Sequence, residues 1–445
     1  MIKDIKPNGV IYATAKIGTA LFLAGTFTSM NSQTRNRMAS IDTSDGSLLP
    51  FSPVFNGLVF SICSGATKIV ITGQFTTVTY NNITTSDCAG IVVYDTVLDS
   101  FIKINSLTFT PLSNSPGGAL FPGGGLMYSS QIAYNSSTQT FYVTGQFMYD
   151  YTDVFGNSVS ARTAIISFKE DNLTPIDLGV TFVPAYINGT PNTNGVRTPL
   201  YSLAVCVDPS TSYVYFWASS ADATVSRAYD VSDPLNPVSL GWIPQIKQSS
   251  SNNGVIARMF IVGNNLWLLS GPATFSGYSK NYSAATKSCN GIMVVDKTTF
   301  DPVYPSDQIT PFGLSTFNFM GGATAYSLLE NDSGNIIILG GFWGAGFGTN
   351  STTPTRYNVA VFDPVDFSNP IGEIIDFKGW VIINYITRFP YIESGVIYGY
   401  FIDENKLYVY GSLPNDGGIV RSNQFEPFIL NMDGGRYPLA FIGAN

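Results

Sequence analysis

The chain contains no histidine at all. That absence removes the side chain that titrates nearest neutral pH, and with it the commonest general base and the commonest zinc ligand. No Ser-His-Asp or Cys-His arrangement can be assembled from this sequence. Charge is scarce too, with Asp, Glu, Lys and Arg making up 12% of 445 residues. Helices draw on Glu, Lys and Arg for their exposed faces, so this poverty argues against a helical protein. The 22 basic and 30 acidic residues leave a net charge of −8. No basic stripe is present to displace counterions from phosphates, which excludes nucleic acid as a partner. No apolar run approaches the roughly 20 residues that span a bilayer, so membrane insertion is not expected either. The start, Met1-Ile2-Lys3-Asp4-Ile5-Lys6-Pro7, lacks an apolar secretory segment, and folding in a cytosol is the expectation. Cysteine is limited to Cys63, Cys88, Cys206 and Cys289, widely spaced and without a CxxC. That is neither a disulfide framework nor a zinc set, and all four are expected as free thiols.

What remains is rich in apolar residues (44%), aromatics (14%) and small polar ones. A chain of this length exceeds the roughly 250–300 residues at which one core stops growing, so a repeat with many thin cores is a natural solution. The repeat is an alternating apolar strand that ends in Gly or another small residue, often followed by an aromatic. It occurs at Leu21–Phe27, Ile69–Phe75, Phe141–Phe147 and Ile336–Phe342, with weaker copies at Val214–Ser219, Leu266–Gly271 and Leu407–Ser412. A strand precedes each copy, and Cys63 and Cys206 fall in two of these. A third strand follows, closing on Asp42, Asp95, Asp230, Asp296, Asp363 and Asp433; Cys88 and Cys289 are placed in such strands. A last strand, often opened by Pro as at Pro50, Pro175 and Pro237, suits an outer edge because proline donates nothing to a ladder. The expected fold is all-β: one domain over 1–445, a seven-bladed β-propeller of four-stranded antiparallel blades. The blades are placed at about 9–52, 57–104, 127–178, 200–242, 254–303, 323–375 and 395–441. The Gly-ending strand should lie second from the axis, its glycine admitting a neighbouring backbone and the following aromatic filling the space between blades. Two or three β-sandwiches in series are the rival, but no Pro/Gly/Ser linker separates them.

One stretch carries more than rhythm. Gly25-Thr26-Phe27-Thr28-Ser29-Met30, then Arg35-Asn36-Arg37-Met38-Ala39, then Asp42-Thr43-Ser44-Asp45-Gly46-Ser47-Leu48 leads through Phe51–Gly57 into Gly73-Gln74-Phe75. This resembles the repeat unit of the delta-60-repeat β-propellers found in bacterial surface proteins and phage or viral proteins. The resemblance covers about two units, and the Arg-bearing turn is missing from most later ones. It implies the fold and brings no catalytic residues.

In such a blade the turns between first and second strands, and between third and fourth, share one face. Ile17-Gly18-Thr19, Gly263-Asn264-Asn265, Asn331–Gly334 and Asp403–Asn405 are plain hairpin turns there. The opposite face receives long apolar loops: 105–126 with Phe109 and Phe121, 179–199 with Phe182 and Tyr186, 304–322 with Phe312, Phe317 and Phe319, and 376–394 with Trp380, Tyr385, Phe389 and Tyr391. Long loops bearing aromatics point to a protein interface. The plain alternative is that they fold back and plug the propeller's own mouth. The recurring acids sit at strand ends, where Asp caps turns, and carboxylate-only glycoside hydrolysis would need two of them converging in the channel. Asp42–Gly46 and Asn331–Asn335 do not complete a calcium loop, and Gly25, Gly73, Gly145 and Gly340 end strands and are not phosphate loops. Neither metal nor cofactor is expected. Sequons at Asn82, Asn135, Asn172, Asn188, Asn281, Asn331 and Asn350 arise readily by chance in a chain rich in Asn, Ser and Thr.

The expected function is therefore not enzymatic: a structural or attachment protein, a phage or virus virion component that docks by its apolar loop face on other copies or other virion proteins. The alternative is a secreted bacterial adhesin or lectin-like propeller that stacks exposed aromatics on glycans. Location follows as virion or extracellular surface.

Overall fold

The computed structural model describes residues 7–104 apart from Ala89, 107–108, 131–178 apart from 153–157, most of 200–303, and strand segments between 312 and 431. The protein is all-β, and no helix occurs among the described residues. Seven sheets share one plan, in which consecutive strands pair antiparallel in chain order. Their first three strands are Ile11–Ile17, Ala20–Gly25 and Met38–Asp42; Val59–Ser64, Lys68–Gly73 and Ile91–Asp95; Ile132–Asn135, Thr140–Thr152 and Ser158–Lys169; Leu200–Asp208, Tyr213–Ser220 and Thr224–Asp230. Ile256–Val262, Asn265–Ser270 and Ile292–Asp296 form the fifth, Thr324–Glu330, Ile336–Gly341 and Val359–Phe362 the sixth, and Val396–Asp403, Lys406–Ser412 and Phe428–Asn431 the seventh. A fourth strand joins the second, third and fourth sheets at Ser100–Ile102, Ile176–Asp177 and Val238–Ser239. In the first and fifth it shrinks to single bridges, Ile41 with Leu48 and Val295 with Pro302.

The first strand of each sheet touches the first strand of the next, and that of the seventh touches that of the first. Inner strands thus circle an axis, which is the plan of a β-propeller. The repeated apolar strand is the second in its sheet, and it ends in glycine at Gly25, Gly73 and Gly341. A Cβ on Gly25 would stand 1.9 Å from the Val10 carbonyl oxygen, and one on Gly73 2.0 Å from that of Leu58. Backbone approaches here that only glycine permits. The aromatics that follow are fully buried: Phe27 packs with Ile11 and Ile41, and Phe75 joins a cluster shared by the first and second sheets. That seam continues outward through Phe22, Phe51, Tyr94 and Phe101, whose rings meet at 4.7–6.2 Å.

Several expectations need correction. Gly145 does not end its strand, which runs on to Thr152 beyond a register shift between Thr144 and Phe147. The segments after Gly25-Thr26-Phe27 and Gly73-Gln74-Phe75 are small hairpins, because Asn31-Ser32 and Asn81-Asn82 all take positive φ and form tight turns. Part of 304–322 is a strand: Phe312–Ser315 pairs antiparallel with Gly344–Phe347 and parallel with Cys289 and Asn290. Within 105–126, Leu107 and Thr108 pair with Tyr149 and Met148. Cys88 precedes the third strand by three residues and Cys289 lies in a separate strand, Lys287–Asn290, so neither is a third-strand residue.

Candidate functional site

The aromatic residues expected to dock a partner cannot be assembled into a site. Phe109, Phe121, Phe182, Tyr186, Phe317, Phe319, Trp380, Tyr385, Phe389 and Tyr391 lie outside the described residues, and of Phe312 only the backbone is described. The turn 331–335 and positions 404–405 lie outside them too.

The strand-end acids have one shared task. Asp42 accepts the Ser44 N–H, Asp95 those of Val97 and Leu98, Asp208 that of Ser210, Asp230 that of Ser232, and Asp296 those of Thr298 and Thr299. Asn135, which ends the first strand of the third sheet as Asp208 ends that of the fourth, does the same for Ser137 and Thr138. It is fully buried, so a sugar on its amide is incompatible with this fold. In Asp42–Gly46 both carboxylates are turned onto Ser44 and Ser47. Among the described residues no group of three or more His, Cys, Asp or Glu is placed to hold a metal ion.

The residue just after the third strand repeats a second task. Thr43, Thr96, Glu170, Val231 and Lys297 each donate their N–H to the carbonyl of a residue in or beside their own sheet's first turn: Thr19, Thr67, Gln139, Ser212 and Asn264. Two of these five side chains reach the preceding sheet. The Glu170 carboxylate accepts the N–H groups of Ala66, Thr67 and Lys68 at 2.7–3.1 Å and the Tyr134 hydroxyl at 2.5 Å. Burial opposes its charge, but Tyr134 and the three amides outweigh it and hold the carboxyl below the usual glutamate range. Lys297 pairs with Asp208 at 2.6 Å, and both side chains are nearly inaccessible. Burial likewise opposes the Asp208 charge, while Lys297, Ser210 and Thr211 hold its carboxyl below the carboxylate range.

This ion pair stands at the rim of a cleft on the axis, about 420 Å³ in volume. The first strands of the third, fourth and fifth sheets wall it with Ala133, Tyr134, Val205, Val207, Met259, Phe260 and Ile261. Ser210 and Gly263 place its rim beside the hairpin turns. Asp208 is the one carboxylate among the described lining residues, and Lys297 neutralises it, so the pair of converging acids that glycoside hydrolysis needs is not found among them. Cys206 lines it as a buried thiol; Cys63 and Cys88 are free as well, burial pushing the first up to about 12 and the second to about 11. The Cys289 side chain lies outside the described residues.

Two signals in the sequence went unused. Asn8-Gly9 and Asn56-Gly57 precede the first two sheets, and each Asn carbonyl accepts two N–H groups of the segment after Gly-x-Phe. In six of the seven first strands the register shifts near the start, and the extra residue is Tyr12, Phe60, Tyr201, Tyr326 or Tyr398 in five of them. Tyr12 and Phe60 are buried against each other, ring centroids 6.0 Å apart.

No protein-family model matches the chain, and no characterised protein matches it in sequence. Solved structures similar to it include the β-propeller domain of the Trilobed protease from Pyrococcus furiosus (8% identity, TM-score 0.35, covering 96% of this chain and 94% of that one). Puromycin hydrolase is similar at 10% identity and TM-score 0.44, covering 98% of this chain and 54% of that one. Prolyl oligopeptidase B from Galerina marginata is similar at 7% and 0.41, covering 96% and 49%. The chain spans about half the length of each of these last two. They correct the expectation that enzymes can be set aside, since both are hydrolases by name. The physical reason is that a fold carries no activity of its own, so composition and fold did not license that exclusion.

Proposed function

We propose that the chain is a seven-bladed β-propeller that serves as a structural or attachment module, a virion component docking through the segments that connect its blades. The observation that carries this is the polarity of the sheets. First strands lead toward the short hairpin turns, and second strands return. The described residues that flank the long connecting segments therefore meet the other end of the ring, and the aromatics of 105–126, 179–199, 304–322 and 376–394 are proposed to dock from that end. Four strands per blade belong to the same proposal, supported by the single bridges at Leu48 and Pro302 where edge strands are shortest. So does the delta-60-repeat resemblance. Its support is local: Arg37, at φ 73°, and Gly90, at φ 77°, hold the same place before the third strand. Each pairs through its backbone with the Gly and Phe of the preceding Gly-x-Phe.

The test is a Phe319→Ala/Trp380→Ala variant followed by sedimentation velocity. Truncating one buried interface aromatic costs about 2 kcal/mol, so assembly should weaken by at least about thirtyfold. Circular dichroism should be unchanged. Unaltered assembly of the double variant, or a native chain that is monomeric and captures no partner, removes the proposal.

A further inference from the structure

Among the described residues each first strand ladders only with the second strand of its own sheet, and its other edge faces the axis. At one point that edge is occupied, and the occupant is a side-chain amide. Gln131, at the entry to the third sheet, reaches past the fourth sheet to the fifth. Its Nε2 donates to the Met259 carbonyl at 3.1 Å, and its Oε1 accepts the Met259 N–H at 3.2 Å. These are the two bonds that a neighbouring antiparallel strand would make with Met259. The register repeats every second residue: Met259 opposes Leu268, and Ile261 opposes Leu266 without a shift between them. Ile261 therefore turns its N–H and C=O to the same side, and it lines the cleft.

We propose that the axial cleft binds a short extended peptide whose backbone amide takes the N–H and C=O of Ile261, one step along the edge that Gln131 occupies. Val205, Val207 and Phe260 offer an apolar wall to an aliphatic side chain. Lys297 has three N–H groups and directs two at Asp208 and Ser210, leaving one for a peptide carbonyl at the rim. A volume of about 420 Å³ suits a few residues and not a folded partner; ligand pockets run from roughly 300 to 1,000 Å³. The lining of the cleft includes the turn residues Ser210 and Gly263 and none of the aromatics of the connecting segments, so its occupancy is tested separately from the assembly proposed above.

Calorimetric titration of the intact chain with acetyl-Ala-Val-Ala-amide tests this, with hydrogen exchange followed over residues 256–262. The peptide should bind and protect that strand. An analogue with the central amide replaced by an ester lacks the N–H and should bind about tenfold more weakly. Ile261→Pro removes the strand's own N–H on the side away from the ladder and should abolish binding. The ester comparison decides the matter even where the proline variant does not fold. Absence of binding at about 10 mM peptide, equal binding of amide and ester, or protection confined to other strands overturns the proposal. Binding of N-acetylglucosamine in place of the peptide also overturns it, assigning the cleft to an acetamido sugar.

Discussion

Glu170 illustrates how one side chain ties two sheets. It leaves the end of the third sheet's third strand and closes over the turn Gly65-Ala66-Thr67 of the second, so close that a Cβ on Gly65 would stand 2.7 Å from its Oε2. A carboxylate accepts three amides in this position; a carboxamide offers one oxygen and turns an NH2 toward donors. Glu170→Gln should therefore lower stability by about 2 kcal/mol, the loss expected for hydrogen bonds to a charged group. The pH dependence has a definite sign. The folded carboxyl titrates below its ordinary value of 4.5, so its contribution is complete above that value and drains away as the pH falls toward the lowered one. Urea denaturation between pH 7 and pH 3 should show a smaller acid loss for the glutamine variant than for the native chain. Parallel losses would mean that other carboxylates carry the effect.

At the scale of the element, each sheet is a hairpin with a third strand added, and its punctuation is structural. The glycine before the aromatic lets the chain entering the first strand cross over the end of the second. Gly73→Ala sets a methyl group 2.0 Å from a carbonyl oxygen that belongs to the backbone and cannot rotate away. A loss of about 3 kcal/mol or more is expected, in the range of severe overpacking, and a fall in melting temperature measures it. Gly18→Ala provides the contrast, since no atom lies within 4 Å and only its φ of 58° opposes the change, at about 1–2 kcal/mol. Equal losses at both positions would show that close approach is not what Gly73 supplies.

Across the whole molecule, the ring is held by contacts between neighbouring sheets, and no strand is shared between the first and the seventh among the described residues. Links such as Asp208–Lys297 then matter to the assembly of the ring. Lys297→Met leaves the Asp208 charge buried and unpaired, which costs about 3–5 kcal/mol in comparable sites. Adding Asp208→Asn should recover a large part of that loss, because it removes the stranded charge while the one remaining oxygen still accepts the Ser210 N–H and hydroxyl, and the Thr211 hydroxyl can turn to accept from the new NH2. A double variant as unstable as the single one would show that Lys297 acts through packing of its alkyl stem and not through its charge.

The sequence by itself determined the all-β fold, the placing of the repeated apolar strand second in its sheet, and the turn-capping role of the described strand-end acids. Alternation, glycine and aspartate act locally, so their signals are readable within a few residues. The aromatic bulges of the first strands and the Asn-Gly entries were equally local, and were legible in Tyr12, Phe60, Asn8 and Asn56 once aligned on the glycine. The axial cleft was not legible. Gln131 and Met259 are 128 residues apart, Glu170 meets Thr67 from 103 residues away, and Asp208 meets Lys297 across a sheet boundary. Such pairings depend on how sheets pack around the axis, and no periodicity along the chain encodes them. Only the tertiary structure decided which acid is paired, which amide crosses the channel and which strand edge is left facing the axis.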